Sequence, residues 1–175
     1  MTATGRTAPT DSQPAPDPVL FVQHTRTPAE TAALGARIAV LARPGDLICL
    51  QGDLGCGKTV LARGFVRALA GEGVEVPSPT FNILLTYPAQ PAPVWHFDLY
   101  RVGDPEELWE LGLDEAFAEG VSLVEWPDRL AGMTLPPPLR LCLEALPDGG
   151  RGEVRRITGS GGGDWPQRLH RAGLG

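Results

Sequence analysis

Lysine is almost missing from this chain. Of its 15 basic residues, 14 are arginine and one, Lys58, is lysine. Where arginine is used so freely, a lone lysine marks a place that a wide planar guanidinium does not fit and a compact ammonium does, such as the gap between two phosphates. Cysteine is sparse too. Cys49, Cys56 and Cys142 contain no CxxC pair, so neither a zinc site nor a dithiol redox motif is indicated. No apolar run approaches the ~20 residues needed to span a bilayer, and no apolar signal core follows the N-terminus. A cytoplasmic protein, off the membrane, is the expectation. Positive charge is in deficit: 15 basic against 21 acidic residues leave −6. That sign disfavours a protein that grips a phosphate backbone by itself. The strip at Arg151, Arg155 and Arg156 reads as a solvated edge strand.

What is present suffices for one domain. The chain has 175 residues, 42% hydrophobic and 21% charged, enough to bury a core without disulfide or metal staples. Residues 1–18, rich in Thr, Pro, Ala and Asp, read as a disordered tail. Residues 19–160 read as the domain, and 161–175 as a flexible or short helical tail, with Gly159 to Gly163 flexible. Thr27-Pro28-Ala29-Glu30 is a capping box with proline at the first helical position. The helix it opens carries Leu34, Ile38 and Leu41 on one face. Asp46 to Leu50 is a buried strand. A second helix runs from about Lys58, with Leu61, Phe65 and Leu69 in a stripe and Gly71 as its stop. Strands are expected over Phe81 to Tyr87, Val94 to Tyr100 and Val121 to Trp126. A helix start is expected at Asp104-Pro105-Glu106-Glu107, and a hairpin from Leu139 to Thr158 around Asp148-Gly149-Gly150. Alternating strands and helices give an α/β fold of the P-loop NTPase type. Its central sheet is expected to be mostly parallel and flanked by helices, with a C-terminal β-hairpin.

The loop after the first of these strands reads GDLGCGKT. Gly52, Gly55 and Gly57 let the backbone curl so that successive N–H groups face phosphate oxygens, and the helix behind adds its positive end. Asp53, Leu54, Cys56 and Val60 complete the nucleotide-binding stretch, with Cys56 a bystander. Lys58 reaches the outer phosphates, and the Thr59 hydroxyl can ligate Mg²⁺. Hydrolysis also needs carboxylates at the ends of neighbouring strands. Asp98 follows Val94-Trp95-His96-Phe97, and Glu125 follows Val121-Ser122-Leu123-Val124. Spacing does not say which of the two touches the metal. His96 shares a strand face with Asp98 and reads as a structural or hydrogen-bonding residue.

These elements together resemble the TsaE family, older name YjeE, over about Thr27 to Thr158. Five blocks carry the resemblance in order: TPAETAALGARIA, GDLGCGKT with the RGF of Arg63 to Phe65, SPTF at Ser78 to Phe81, HFDLYR at His96 to Arg101, and VEWPDR at Val124 to Arg129. Cys56 departs from the usual alanine. The resemblance implies an ATPase required for threonylcarbamoyladenosine modification of tRNA, with ATP and Mg²⁺ as cofactors. TsaB and TsaD are the implied partners, and tRNA is reached only through them. It implies Thr59 and Glu125 as metal ligands with Asp98 close to the metal. Lys58, Asp98 and Glu125 are the implied catalytic set. Ser78, Pro79, Thr80 and Phe81 are implied as a switch loop that senses the γ-phosphate. Arg151 is implied to approach the nucleotide, and Thr27 to Thr31 to border the adenine. The arginine that completes the site is left open between Arg101, Arg151 and a partner's. Trp109, Leu111, Leu113 and Phe117 are candidates for a partner surface, with core packing competing for at least two of them. Two rival functions remain: a small P-loop kinase, for which no arginine-rich lid is visible, and a non-catalytic nucleotide sensor.

Overall fold

The computed structural model describes residues 17–104, 107–147 and 153–175. Residues 1–16 of the tail read into 1–18, the pair Pro105-Glu106, the turn at Asp148-Gly149-Gly150 and Arg151 lie outside the described residues. Seven strands are present: β1 (Val19–Thr25), β2 (Leu47–Gln51), β3 (Leu84–Tyr87), β4 (Val94–Asp98), β5 (Val121–Glu125), β6 (Leu139–Pro147) and β7 (Glu153–Gly161). The helices are α1 (Pro28–Ala39), α2 (Lys58–Ala70), α3 (Glu107–Glu110), α4 (Leu113–Glu119) and α5 (Trp165–Arg171), with a 3-10 turn at Pro127–Leu130. No described helix is long and apolar enough to cross a membrane.

The strands form one sheet in the order β1-β7-β6-β2-β5-β4-β3. The middle four, β6, β2, β5 and β4, run parallel. The expected parallel centre is therefore there, extended by antiparallel strands on both sides, and β6 and β7 form the C-terminal hairpin. Parallel strands are buried on both faces, which explains the uninterrupted apolar runs in β2 and β5. Alternate side chains divide the core. Ile48, Leu50, Val94, Val121 and Leu123 face α1, α2 and α5, while Leu47, Cys49, Phe97 and Val124 face α3 and α4.

Thr27 caps α1 as the motif requires, accepting from the Glu30 N–H at 3.1 Å, while the Glu30 carboxylate takes the Arg26 N–H at 2.7 Å. Such a cap is worth about 1 kcal/mol. α1 and α2 cross very closely. A Cβ on Gly64 would lie 2.0 Å from the carbonyl oxygen of Ala32, so only glycine fits there.

Two sequence expectations change. The apolar run Val19–Thr25, read as no element, is the edge strand β1 paired with β7. Gly159 to Gly163 does not stay flexible at its start, because Gly159 to Gly161 belong to β7. The reason is packing: a Cβ on Gly159 would lie 2.2 Å from the Phe21 ring of β1. The glycine there makes room for an aromatic side chain from a strand that was not anticipated. The last residues form α5, which buries Trp165 and Leu169 in the core on the α1 and α2 face.

Candidate functional site

β2 ends in the middle of the sheet, and the chain turns there into the glycine-rich loop. Gly52, Gly55 and Gly57 all have positive φ, at 136°, 79° and 109°. Gly52 is fixed by contact as well as by backbone angle, since a Cβ would lie 2.2 Å from the Leu143 carbonyl oxygen and 2.7 Å from the Cys56 Sγ. The loop is thus pressed against β6. Cys56, expected as a bystander, is 2% exposed and belongs to the apolar core. Leu54 points outward and is 81% exposed.

α2 begins at Lys58 with Gly57 as its cap, so the free N–H groups of its first turn face the same space as the loop. Lys58 is 5% exposed. Its Nζ donates to the carbonyls of Gly52 at 2.7 Å and Asp53 at 2.9 Å, and lies 4.1 Å from the centroid of the Trp126 ring. No carboxylate among the described residues pairs with it. Carbonyl dipoles and a ring face offset only part of the cost of burying a full charge, so this ammonium sits in a place made for an anion.

The carboxylates follow from register. β4 and β5 are parallel with Asp98 opposite Glu125, and Leu50 of β2 lies opposite Glu125 on its other side. Both acids therefore emerge at the carboxyl edge of the sheet beside the loop. They are 3% and 2% exposed. Glu125 accepts from the Thr59 hydroxyl at 3.0 and 3.1 Å, and His96 Nε2 lies at hydrogen-bond distance from its Oε1, 3.0 Å. Asp98 accepts from the Thr80 hydroxyl at 2.6 Å and from the Tyr100 N–H at 3.0 Å. The Ser78 and Thr80 hydroxyls are themselves 2.6 Å apart. The SPTF segment is thereby tied to one carboxylate, while Glu125 is tied to α2 and to the interior of the sheet.

A cavity of about 210 Å³ lies among these groups, lined by Leu54, Gly55, Gly57, Lys58, Thr59, Val60, Ser78, Thr80, Asp98, Glu125 and Trp126. A larger hollow of about 430 Å³ lies on the β6 side of the loop, where Asp53, Glu144 and Glu153 line it and no base among the described residues does. Charge decides between them: an anion with a metal suits the first, which holds the ammonium, three hydroxyls and the two acids. Those donors are hard oxygens. Among the described residues there is no group of three or more His, Cys, Asp or Glu placed to hold a metal. One hydroxyl and one or two carboxylates, with the remaining positions left for waters and substrate phosphate, fit Mg²⁺.

Three features of the site went unread in the sequence. Trp126, inside the VEWPDR block, has φ of 61° and lays its ring over Lys58 and against Tyr100 at 5.0 Å. An aromatic residue at positive φ is strained, and only the fold reveals it. Arg155 approaches the loop, its Nε 4.0 Å from where a Cβ of Gly57 would be, with Thr31 of α1 at 3.9 Å. It pairs with Glu153 at 2.9 Å, and Arg156 pairs with Glu144 at 2.8 Å, so these two arginines of the strip are neutralised locally. Ile83, just after the SPTF segment, also has positive φ, 64°. Phe81 is 82% exposed, with the Arg101 guanidinium 4.7 Å from its ring centroid, so Arg101 lies on the SPTF segment. Of the four candidates for a partner surface, Leu113 is core, Leu111 and Phe117 are half-buried, and Trp109 is 44% exposed. Arg151, whose approach to the nucleotide was implied, is not among the described residues.

Comparison with known proteins agrees with this geometry. The family model described as threonylcarbamoyl adenosine biosynthesis protein TsaE matches residues 25–152. The tRNA threonylcarbamoyladenosine biosynthesis protein TsaE of Rickettsia conorii is 41% identical over 117 residues, 67% of each chain. The protein of the same name from Bacillus subtilis is 46% identical over 103 residues, 58% of this chain and 63% of the relative. Among solved structures, Bacillus subtilis YdiB superposes with a TM-score of 0.72 at 31% identity, over 87% of this chain and 93% of that one.

Proposed function

This chain belongs to the TsaE family of threonylcarbamoyladenosine biosynthesis proteins, and from that premise we propose that it is a Mg²⁺-dependent ATPase and switch subunit. It acts on a TsaB–TsaD complex that modifies tRNA, and its acidic charge of −6 leaves tRNA contact to that complex.

The observation that carries the ATPase reading is Lys58, a buried ammonium held among the described residues by two carbonyl oxygens, the Cys56 sulfur and a ring, with no carboxylate. Exchanging two carbonyls for β- and γ-phosphate oxygens gives it charge-assisted bonds and relieves an uncompensated burial. The N–H groups from Gly52 to Val60 and the start of α2 add donors aimed at the same phosphates. Thr59 and Glu125 would hold Mg²⁺, with Asp98 beside it; when bound, the ion neutralises charge on the β- and γ-phosphates and orients them. Thr80 holds Asp98 from the switch segment, so a phosphate that moves Thr80 also changes the bonding of this acid. Lys58 and the loop N–H groups stabilise the charge that builds on the phosphate as water attacks.

The test is ATP hydrolysis by the purified protein, alone and with its cognate TsaB and TsaD proteins, with Lys58→Ala as the blank. Turnover that rises with the pair and vanishes in the variant supports the reading. Absence of turnover, binding and tRNA modification with the pair would overturn it. The Thr80–Asp98 bond also suits a nucleotide sensor without turnover. Glu125→Ala separates the two, since loss of hydrolysis with ATP still bound marks a catalytic site, and a change in affinity alone marks a sensor.

A further inference from the structure

We infer that His96 is a positioning residue: its buried imidazole aims the Glu125 carboxylate, so the protein side of the metal site is set from inside the sheet. The inference rests on the reading of Glu125 as a Mg²⁺ ligand. His96 is 0% exposed, and its Nε2 lies 3.0 Å from Glu125 Oε1. The register explains the reach. His96 stands opposite Leu123, one pleat below Asp98, so it shares a sheet face with both acids and approaches Glu125 diagonally from beneath.

The chemistry of the pair assigns the tautomer. An ionised carboxylate only accepts, so Nε2 must carry the proton. Nδ1 has no partner among the described residues. A residue kept only to fill this space could be leucine or phenylalanine, which bury no polar atom. The imidazole leaves one nitrogen unsatisfied and spends the other on Glu125, so that one bond is the chemical return for burying a polar ring. Asp98 contrasts with this, because its bonds come from Thr80 and Tyr100, both outside the strands. One acid is bonded from within the sheet and from α2, the other from the SPTF segment and the loop after β4. A glutamate with three rotatable bonds loses less freedom on metal binding when one oxygen is already placed.

The experiment compares His96→Gln with His96→Asn. A glutamine amide nitrogen takes the place of Nε2, whereas an asparagine nitrogen stops near Nδ1 and cannot reach Glu125. A fluorescent ADP analogue is titrated with and without MgCl₂, and the melting temperature gained from MgCl₂ with ADP is read alongside. His96→Asn should raise the MgCl₂ midpoint about tenfold, with metal-free nucleotide affinity unchanged, and His96→Gln should restore most of the loss. Equal midpoints in wild type and His96→Asn, or equal displacement of both variants, would overturn the inference while leaving the ATPase reading standing. Nucleotide binding by wild type that ignores MgCl₂ would overturn both. ¹⁵N-histidine spectra of the wild-type protein need no variant: an Nε2–H tautomer at His96 supports the inference, and an Nδ1–H tautomer defeats it.

Discussion

Arg168 and Lys58 are buried to nearly the same extent, 6% and 5% exposed, at opposite ends of strand β2. Arg168 bonds both carboxylate oxygens of Asp46, just before the strand, at 2.6 and 2.8 Å. It also pairs with Asp164 at 2.8 Å, donates to the Leu41 carbonyl at 2.7 Å and stacks on Trp165 at 3.8 Å. Burial works against its charge, but the bonds and charges of Asp46 and Asp164 outweigh that and raise its pKa. Lys58, just after the strand, has carbonyls and a ring but no described counter-ion. A cation that holds a fold together brings its own anions. Lys58 is left short of them among the described residues, and the surrounding fold carries the cost.

The sharpest way to break this comparison is to delete each charge. Lys58→Met should reduce ATP turnover by about 10³-fold, as expected when a donor to the developing charge is lost. Its thermal melt should stay at or above that of wild type, because an uncompensated buried charge has gone. A large drop in melting temperature would mean that Lys58 is structural. Arg168→Met should do the opposite. Denaturant melts should show about 2 kcal/mol lost, since Asp46 keeps only the Arg43 N–H once its cation is gone, while turnover per folded molecule is kept. Glu125→Gln keeps the shape and tests the metal end of the site: turnover should fall by about 10²-fold with stability within about 1 kcal/mol of wild type.

Cys49 extends the comparison to a buried group that stays neutral. Burial pushes its thiol pKa up to about 12, with Arg140 opposing this and Asp128 adding to it. In the unfolded chain the thiol ionises near ~8.5, so the folded state holds a proton that the unfolded state has lost. This contribution to stability is intact below that pH and falls as pH rises toward the folded value. Urea melts at about pH 8 and pH 10.5 should differ by about 2 kcal/mol more in wild type than in Cys49→Ala. An equal loss in both proteins would place the alkaline sensitivity elsewhere. Thr80→Val should give the smallest effect, costing about 1 kcal/mol of stability and lowering turnover about fivefold through Asp98. No change in turnover would uncouple the SPTF segment from that acid.

Local pattern made much of the site legible in advance. Three glycines, one lysine and a threonine at fixed offsets pointed to a tight loop running into a helix, because its shape depends on backbone angles and a helix start that nearby residues set. Asp98 and Glu125 were legible as acids after apolar runs, since a parallel strand buried on both faces needs such a run and its last residue emerges at the sheet edge. The capping box at Thr27 and the parallel centre of the sheet were legible for the same local reason. Register and packing lay beyond it. Only the pairing of β4 with β5 brings His96 under Glu125, and only the close approach of β1 to β7 explains why Gly159 is a strand residue. Trp126 over Lys58, Arg155 beside Gly57 and the four partners of Arg168 join residues far apart in the chain. Composition could single out Lys58, but whether a counter-ion waited for it depended on which distant carboxylates the fold brought near. Spacing along a chain carries no term for that distance, so tertiary structure alone decided it.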